Sequence, residues 1–229
     1  MAGSAEYVEK HDGIRSARRG SLKRLFHAEL ARTGVPGQWV DVDGHANLEV
    51  LRLGSCADLI VAGQDDPNDP ESYIGDRFPE TLVMSAGRPV LLIPYTGVFP
   101  AIGESVMIAW NGSREAARAV HDVLPILKAA KRTTAVSING MNDEPFGSRI
   151  PGADIAAVVA RHGVKVDIAD IDGVIDAPVG DLLMSRSSDL GADLVVMGAY
   201  GHARWQELVL GGATRTMLES MTVPVLMSH

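Results

Sequence analysis

The sequence matches itself, and that match limits the fold more than any other feature. The segment Ala57-Asp58-Leu59-Ile60-Val61-Ala62-Gly63 lies over Ala192-Asp193-Leu194-Val195-Val196-Met197-Gly198 at an offset of 193 − 58 = 135 residues. The register persists downstream, where Pro89-Val90-Leu91-Leu92 falls on Pro224-Val225-Leu226-Met227 and Thr81-Leu82 on Thr216-Met217. Upstream it shifts, with Gly34-Val35 matching Gly163-Val164 at 163 − 34 = 129. A period this long is a duplicated domain rather than a solenoid of single supersecondary units. The expected organisation is an incomplete unit over 1–99 and a whole one over 100–229.

Within the second unit, apolar runs alternate with helical spacing. Strands are expected at 106–110, 133–139, 165–171, 193–197 and 224–227, and helices at 113–130, 153–162, 176–190 and 214–220. Five strands joined by crossovers predict a parallel sheet covered on both faces. The fold class is therefore α/β, two tandem doubly wound, Rossmann-like units with the first incomplete. Nothing precedes residue 1 to match the opening strand and helix of the second unit. Either that segment lies upstream, or the protein lacks it and covers the exposed sheet in another way. Arg15, Arg18, Arg19, Lys23, Arg24 and Arg32 share one helical segment, which reads as a solvated face.

Composition narrows the function classes. A formal net charge of -8 argues against a general nucleic-acid binder, whose phosphate partner calls for a basic surface. No run approaches a membrane span, and residues 1–13 lack the apolar core of a signal peptide. The single cysteine, Cys56, cannot form an internal disulfide and is expected as a small buried residue. A reducing, cytoplasmic address follows. The chain has no G-x4-G-K-[ST], G-x-G-x2-G, paired Cys-x2-Cys or H-E-x2-H, so it offers no intrinsic metal site and no P-loop or dinucleotide fingerprint.

The chemistry gathers after the strand at 193–197, where Gly198, Gly201, Gly211 and Gly212 lead through Ala213 and Thr214 into a helix. In open α/β sheets, ligands sit beyond the carboxyl ends of strands, and glycine turns at helix N-termini offer backbone N–H groups to phosphate. The spacing G-x2-G-x9-G, with Asn111-Gly112-Ser113 after the first strand of the unit, resembles the universal stress protein family.

That resemblance implies a binding site for ATP or AMP, with or without magnesium. Gly198, Gly201 and Gly211 would form the phosphate and ribose loop, with Gly212, Ala213 and Thr214 beside it. Asn111 stands where the family usually has Asp, and Ile138 at the position whose backbone reads adenine. Gly212 stands where the family usually has Ser or Thr. In the first repeat the same positions hold Asp66, Asp76 and Arg77, so carboxylates would repel phosphate and that repeat is expected to be silent. His202, Arg204 and Arg215 lie close enough to be weighed as phosphate contacts. The favoured function is a nucleotide-binding stress or signalling protein with one site. A nucleotide-independent interaction module and a slow ATPase remain open, with efficient catalysis disfavoured because no carboxylate base is evident beside the loop. The apolar last strands of the two units are expected to pair within the chain, and a homodimer to cover the surface left by the absent opening strand.

Overall fold

The computed structural model describes residues 2–42, 46–69, 77–138, 152–171, 177–200 and 212–229. They fall in two compact units, one of Met1–Glu49 with Asp66–Asp76 and one of Val50–Asp65 with Arg77–His229.

The first unit is built on α1 (Ala2–Thr33), which Gly34 ends in a left-handed conformation with φ 70. Four of its basic residues pair with acids of the same unit. Arg18 pairs with Asp69, Lys23 and Arg19 with Asp41, and Arg32 with Glu29. Asp41 also accepts a hydrogen bond from Trp39 Nε1 at 2.9 Å, the chief cause of its lowered pKa. The helix is largely exposed over 13–33, as the reading of a solvated face expects, and the ion pairs are a further finding.

The second unit carries a seven-stranded sheet in the order β1-β2-β7-β6-β3-β4-β5. The strands are β1 (Ile60–Gly63), β2 (Val90–Ile93), β3 (Ser105–Trp110), β4 (Arg132–Ile138), β5 (Asp167–Ile171), β6 (Leu194–Gly198) and β7 (Val225–Ser228). Strands β3 to β7 form a parallel, doubly wound set, and β1 and β2 are the only strands that the first repeat contributes among the described residues. Residues 38–42, which lie 129 positions before β5, form no strand. β5 pairs only with β4, and the first repeat has no strand in β4's place to supply that ladder.

The helices α2 (Ala46–Gly54), α3 (Phe78–Ser85), α4 (Arg114–Asp122), α5 (Leu124–Ala129), α6 (Gly152–Arg161), α7 (Val179–Asp189) and α8 (Gly212–Ser220) supply the crossovers. One core, with Leu82, Leu92, Met107, Val195, Met217 and Met227, packs on α3, α7 and α8; the other, with Ile108, Val120, Leu127, Val159 and Val196, packs on α4, α5 and α6. Central strands buried on both faces explain why β3 and β6 read as unbroken apolar runs. The single helix expected over 113–130 is broken at Val123, because Pro125 in the first turn of α5 has no N–H to continue α4. Cys56 is exposed, contrary to expectation: it lies in the turn that follows α2, outside both cores.

The duplication holds at the level of single hydrogen bonds. In the first repeat Ile60 N–H donates to Pro89 C=O at 3.0 Å and Gln64 N–H to Ile93 C=O at 2.8 Å. Val195 to Pro224 and Ala199 to Ser228, each 135 residues on, repeat these bonds at 2.9 Å. The two repeats join where β2 meets β7 antiparallel, with Leu91 opposite Leu226, Val90 opposite Met227 and Leu92 opposite Val225. The pair Leu91–Leu226 is itself separated by 135, so a local pseudo-twofold passes through it. The intrachain pairing expected of the two last strands is present.

Candidate functional site

The carboxyl ends of β4, β3 and β6 lie in a row. Trp110 pairs with Ser137 on one side, and Ala109 with Met197 on the other. Ile138, Asn111 and Gly198, far apart in sequence, are therefore brought to one end of three neighbouring strands. The sheet order reverses at β3, whose two neighbours β4 and β6 are reached by crossovers on opposite faces, the position where doubly wound sheets open a crevice.

Two helices begin at this end. Ser113 caps α4, its Oγ accepting from Ala116 N–H at 3.1 Å. Asn111 turns the chain into that cap: its Oδ1 accepts from Ser113 N–H at 3.1 Å, and Gly112 adopts φ 75. The side-chain N–H2 of Asn111 donates to no described residue and the residue is exposed, so the turn presents a neutral donor at the strand end.

Gly198 closes the site from below. A Cβ there would stand 2.6 Å from the carbonyl carbon of Glu115, and nearer still to Ala116 N. No side chain fits, and the end of β6 lies directly against the first turn of α4. Gly198 is thus required for packing, whatever it also offers a ligand.

At the start of α8, Thr214 is buried, and its Oγ1 accepts from Tyr200 N–H at 3.3 Å. This bond ties together the two ends of the 201–211 segment, so the hydroxyl is engaged in holding the loop's base. Gly212 is exposed and a Cβ added to it meets nothing within 4 Å, so the missing Ser or Thr side chain has room here. Ala213 follows it in the first turn. Gly201 and Gly211, with His202 and Arg204, lie outside the described residues. Arg215 is engaged with Glu219 at 2.7 Å, one turn on in α8. Among the described residues no group of three or more His, Cys, Asp or Glu is placed to hold a metal ion, and no helix is long and apolar enough to cross a membrane.

Two residues at this end had no place in the sequence reading. Glu115 is buried at 4 % exposure in the first turn of α4, against the end of β6. Burial pushes its pKa up, but the hydrogen bond from Arg114 and its own backbone N–H outweigh this and hold it low. In sequence it is indistinguishable from an ordinary acidic residue in a first helical turn. Tyr200 has φ 59, and its hydroxyl is buried without a hydrogen-bond partner among the described residues. Burial, with Glu80 nearby, pushes its pKa up to about 12. Arg77, at φ 56 before α3, is also a non-glycine residue in left-handed backbone, but it aligns with Gly212 and not with Tyr200.

A doubly wound sheet with two helix N-termini and a turn amide at its switch point defines the class: a doubly wound α/β protein, of the kind that binds ligands at this end of the sheet. The chain is 24% identical over 172 residues to a universal stress protein of Synechocystis, covering 74% of this chain and 57% of that protein. It therefore spans less than two thirds of that curated relative. In fold it is similar to a universal stress protein of Archaeoglobus fulgidus, with TM-score 0.71 and 15% identity over 93% of this chain and 78% of that one. A putative universal stress protein of Pseudomonas aeruginosa aligns with TM-score 0.55 and 18% identity over 93% and 77% of the two chains. No protein-family model matches the chain. The sequence match and the shared fold together support the family indicated by the glycine motif, that of the universal stress proteins.

Proposed function

We propose that the chain is a cytoplasmic stress-response or signalling protein that binds one adenine nucleotide, ATP or AMP, at the carboxyl ends of β4, β3 and β6. The observation that carries this reading is the convergence of Asn111, Ile138 and Gly198 with the N-terminus of α8 at the reversal point of the sheet. In this reading the backbone at Ile138 faces the base, the Asn111 amide the sugar, and the loop from Gly198 through Gly201 and Gly211 to Gly212 and Ala213 the phosphates. Thr214 holds the loop's base through Tyr200 N–H and leaves phosphate contact to backbone N–H groups. Backbone donors suffice for binding and supply no base for hydrolysis. Glu115 bonds to Arg114 and has its pKa held low, which does not favour a proton-accepting role.

Calorimetric titration with ATP and AMP tests this. Saturation near one equivalent is expected, with loss of binding in Gly211→Asp, which installs the carboxylate that the first repeat has at Asp76. Two equivalents, or normal binding by that variant, would overturn the assignment. Phosphate release should stay orders of magnitude below the roughly 10 per second of a median enzyme.

A further inference from the structure

We propose that His121 and His162 form a chelating site for a late first-row divalent metal ion, copper(II) most tightly, with water filling the remaining coordination positions. The two residues are 162 − 121 = 41 positions apart, so no local motif in the sequence announces the pair. The fold brings their rings to a centroid distance of 6.0 Å with the planes 89° apart. A metal-bound imidazole nitrogen stands about 2.0–2.1 Å from the ion, which sets two ring centres on one ion about 5 Å apart at a tetrahedral angle and about 6.5 Å apart when opposed. The observed separation lies inside that interval. What remains is rotation of two exposed rings, with the backbone left where it is.

The backbone beneath the pair is held by the core. His121 lies in the last turn of α4, with Val120 and Val123 buried on either side of it. His162 directly follows α6; its N–H donates to Val159 C=O at 3.0 Å, and Gly163 closes the turn at φ 85. Val120, Val123 and Val159 belong to one core cluster, so the two histidines ride on elements packed against each other's supports. A site on fixed elements spends little on ordering when an ion arrives.

The chemistry of the two side chains suits a cation. Both imidazoles are exposed, and neither makes a hydrogen bond or ion pair among the described residues. Each neutral ring offers one nitrogen lone pair, the donor that copper, nickel and zinc accept. Both residues stand at helix C-termini, where the partial negative charge of the peptide dipoles favours a positive ion. A single surface imidazole holds such an ion weakly. A second one at a fixed distance acts at high effective concentration and multiplies the affinity. The bound ion ties the end of α4 to that of α6.

Copper(II) titrated into the full chain tests this, in a Cys56→Ser background that removes the exposed thiol. Calorimetry should show one tight equivalent, and electron paramagnetic resonance two nitrogen ligands on the ion. His121→Ala and His162→Ala should each weaken that site about tenfold or more. The double variant should lose little beyond either single one, because the chelate is already broken. Both histidines are exposed, so the variants should keep the circular dichroism of the parent. Nickel(II) and zinc(II) should bind the same site more weakly than copper(II) and raise the melting temperature of the parent more than that of the variants. Equal affinity in the parent and either variant would place the ion on another histidine and overturn the proposal. So would a spectrum with one nitrogen ligand, or the lack of any tight equivalent.

Discussion

The two repeats superimpose hydrogen bond for hydrogen bond along β1–β2 and β6–β7, yet at the strand ends they part company. At the end of β6 stands Ala199, small and followed by Tyr200 and the glycine loop; at the end of β1 stands Gln64, buried at 8 % exposure. The Gln64 side chain fills its pocket with protein contacts. Nε2 donates to Leu218 C=O in α8 at 3.0 Å, and Oε1 accepts from Tyr95 N–H at 3.3 Å. Asp65 follows, its pKa raised by burial and by Glu80. The glycines diverge in the same sense: a Cβ on Gly198 collides with α4, whereas one on Gly63 meets nothing within 4 Å. One duplicated scaffold thus carries two strand ends, one followed by a small residue and the glycine-rich segment, the other engaged in joining the repeats.

The largest effect should come from the joint that the repeats share. Leu226 is 1 % exposed opposite Leu91, and Leu226→Asp buries a charge with no partner on the pseudo-twofold. A loss on the order of 5 kcal/mol, comparable to the whole stability of a small domain, is expected in urea unfolding. A well-folded variant would mean that the β2–β7 ladder does not hold the repeats together in solution. Next comes a paired substitution. Gly198→Ala should cost about 3 kcal/mol through forced movement of the first turn of α4, while Gly63→Ala should stay within about 0.5 kcal/mol of the parent. Equal costs would erase the asymmetry argued above.

Gln64→Ala should cost about 2 kcal/mol, because it strands a buried carbonyl and a backbone N–H. Nucleotide affinity should be unchanged, since the residue serves the joint and not the loop. A change in binding with little change in stability would instead place Gln64 in the site.

How much of this was legible in the sequence depends on whether a feature is local or arises from pairing. The repeat register was legible because identical spacings produce identical ladders, and the order of strands and helices in the second unit followed from periodicity. The break at Val123 was readable in Pro125, whose missing N–H was passed over within a strong helical pattern. Cys56 misled because apolar neighbours in sequence do not guarantee a place in a core. A helix-packing role for Gly198 is a reading its sequence allows, but its partner in α4 and the burial of Glu115 and Tyr200 were not legible, since each depends on a helix and a strand that meet only after folding. Residues 38–42 align with β5 but have no strand in β4's place beside them among the described residues, and nothing local reports that.

A smaller effect sharpens the comparison by adding to the site. The family usually offers a hydroxyl where this chain has Gly212, and the exposed position has room for one. Gly212→Ser should tighten ATP binding several-fold, about 1 kcal/mol for one added hydrogen bond to phosphate, with stability nearly unaltered. The mirror substitution, Arg77→Ser at the first repeat's α3, should create no second site, because Gln64 and Asp65 still occupy the strand end. A second equivalent of nucleotide in that variant would show that the first repeat is silent for want of a helix start alone.

The smallest expected effect is confined to alkaline pH and concerns Tyr200, which has no ionisable counterpart of its kind in the first repeat. Its hydroxyl is buried and has no hydrogen-bond partner among the described residues, and burial raises its pKa to about 12 from the usual 10.0. A raised acid pKa means that the folded state favours the neutral phenol. The stabilisation is complete below the unfolded value of 10.0 and is lost as pH rises through about 12, because only the unfolded chain can ionise the group freely in that interval. Tyrosinate absorbance should therefore show one tyrosine titrating above the others, and that late step should vanish in Tyr200→Phe. The phenylalanine variant should also lose less stability than the parent between pH 10 and pH 12, because it has no phenol for the unfolded chain to ionise. If nucleotide draws the loop over this end of β6, saturating ATP should move the late step further upward in the parent. The Gly211→Asp variant should show no such movement, which would tie the phenol's burial to the same loop that separates the second repeat from the first.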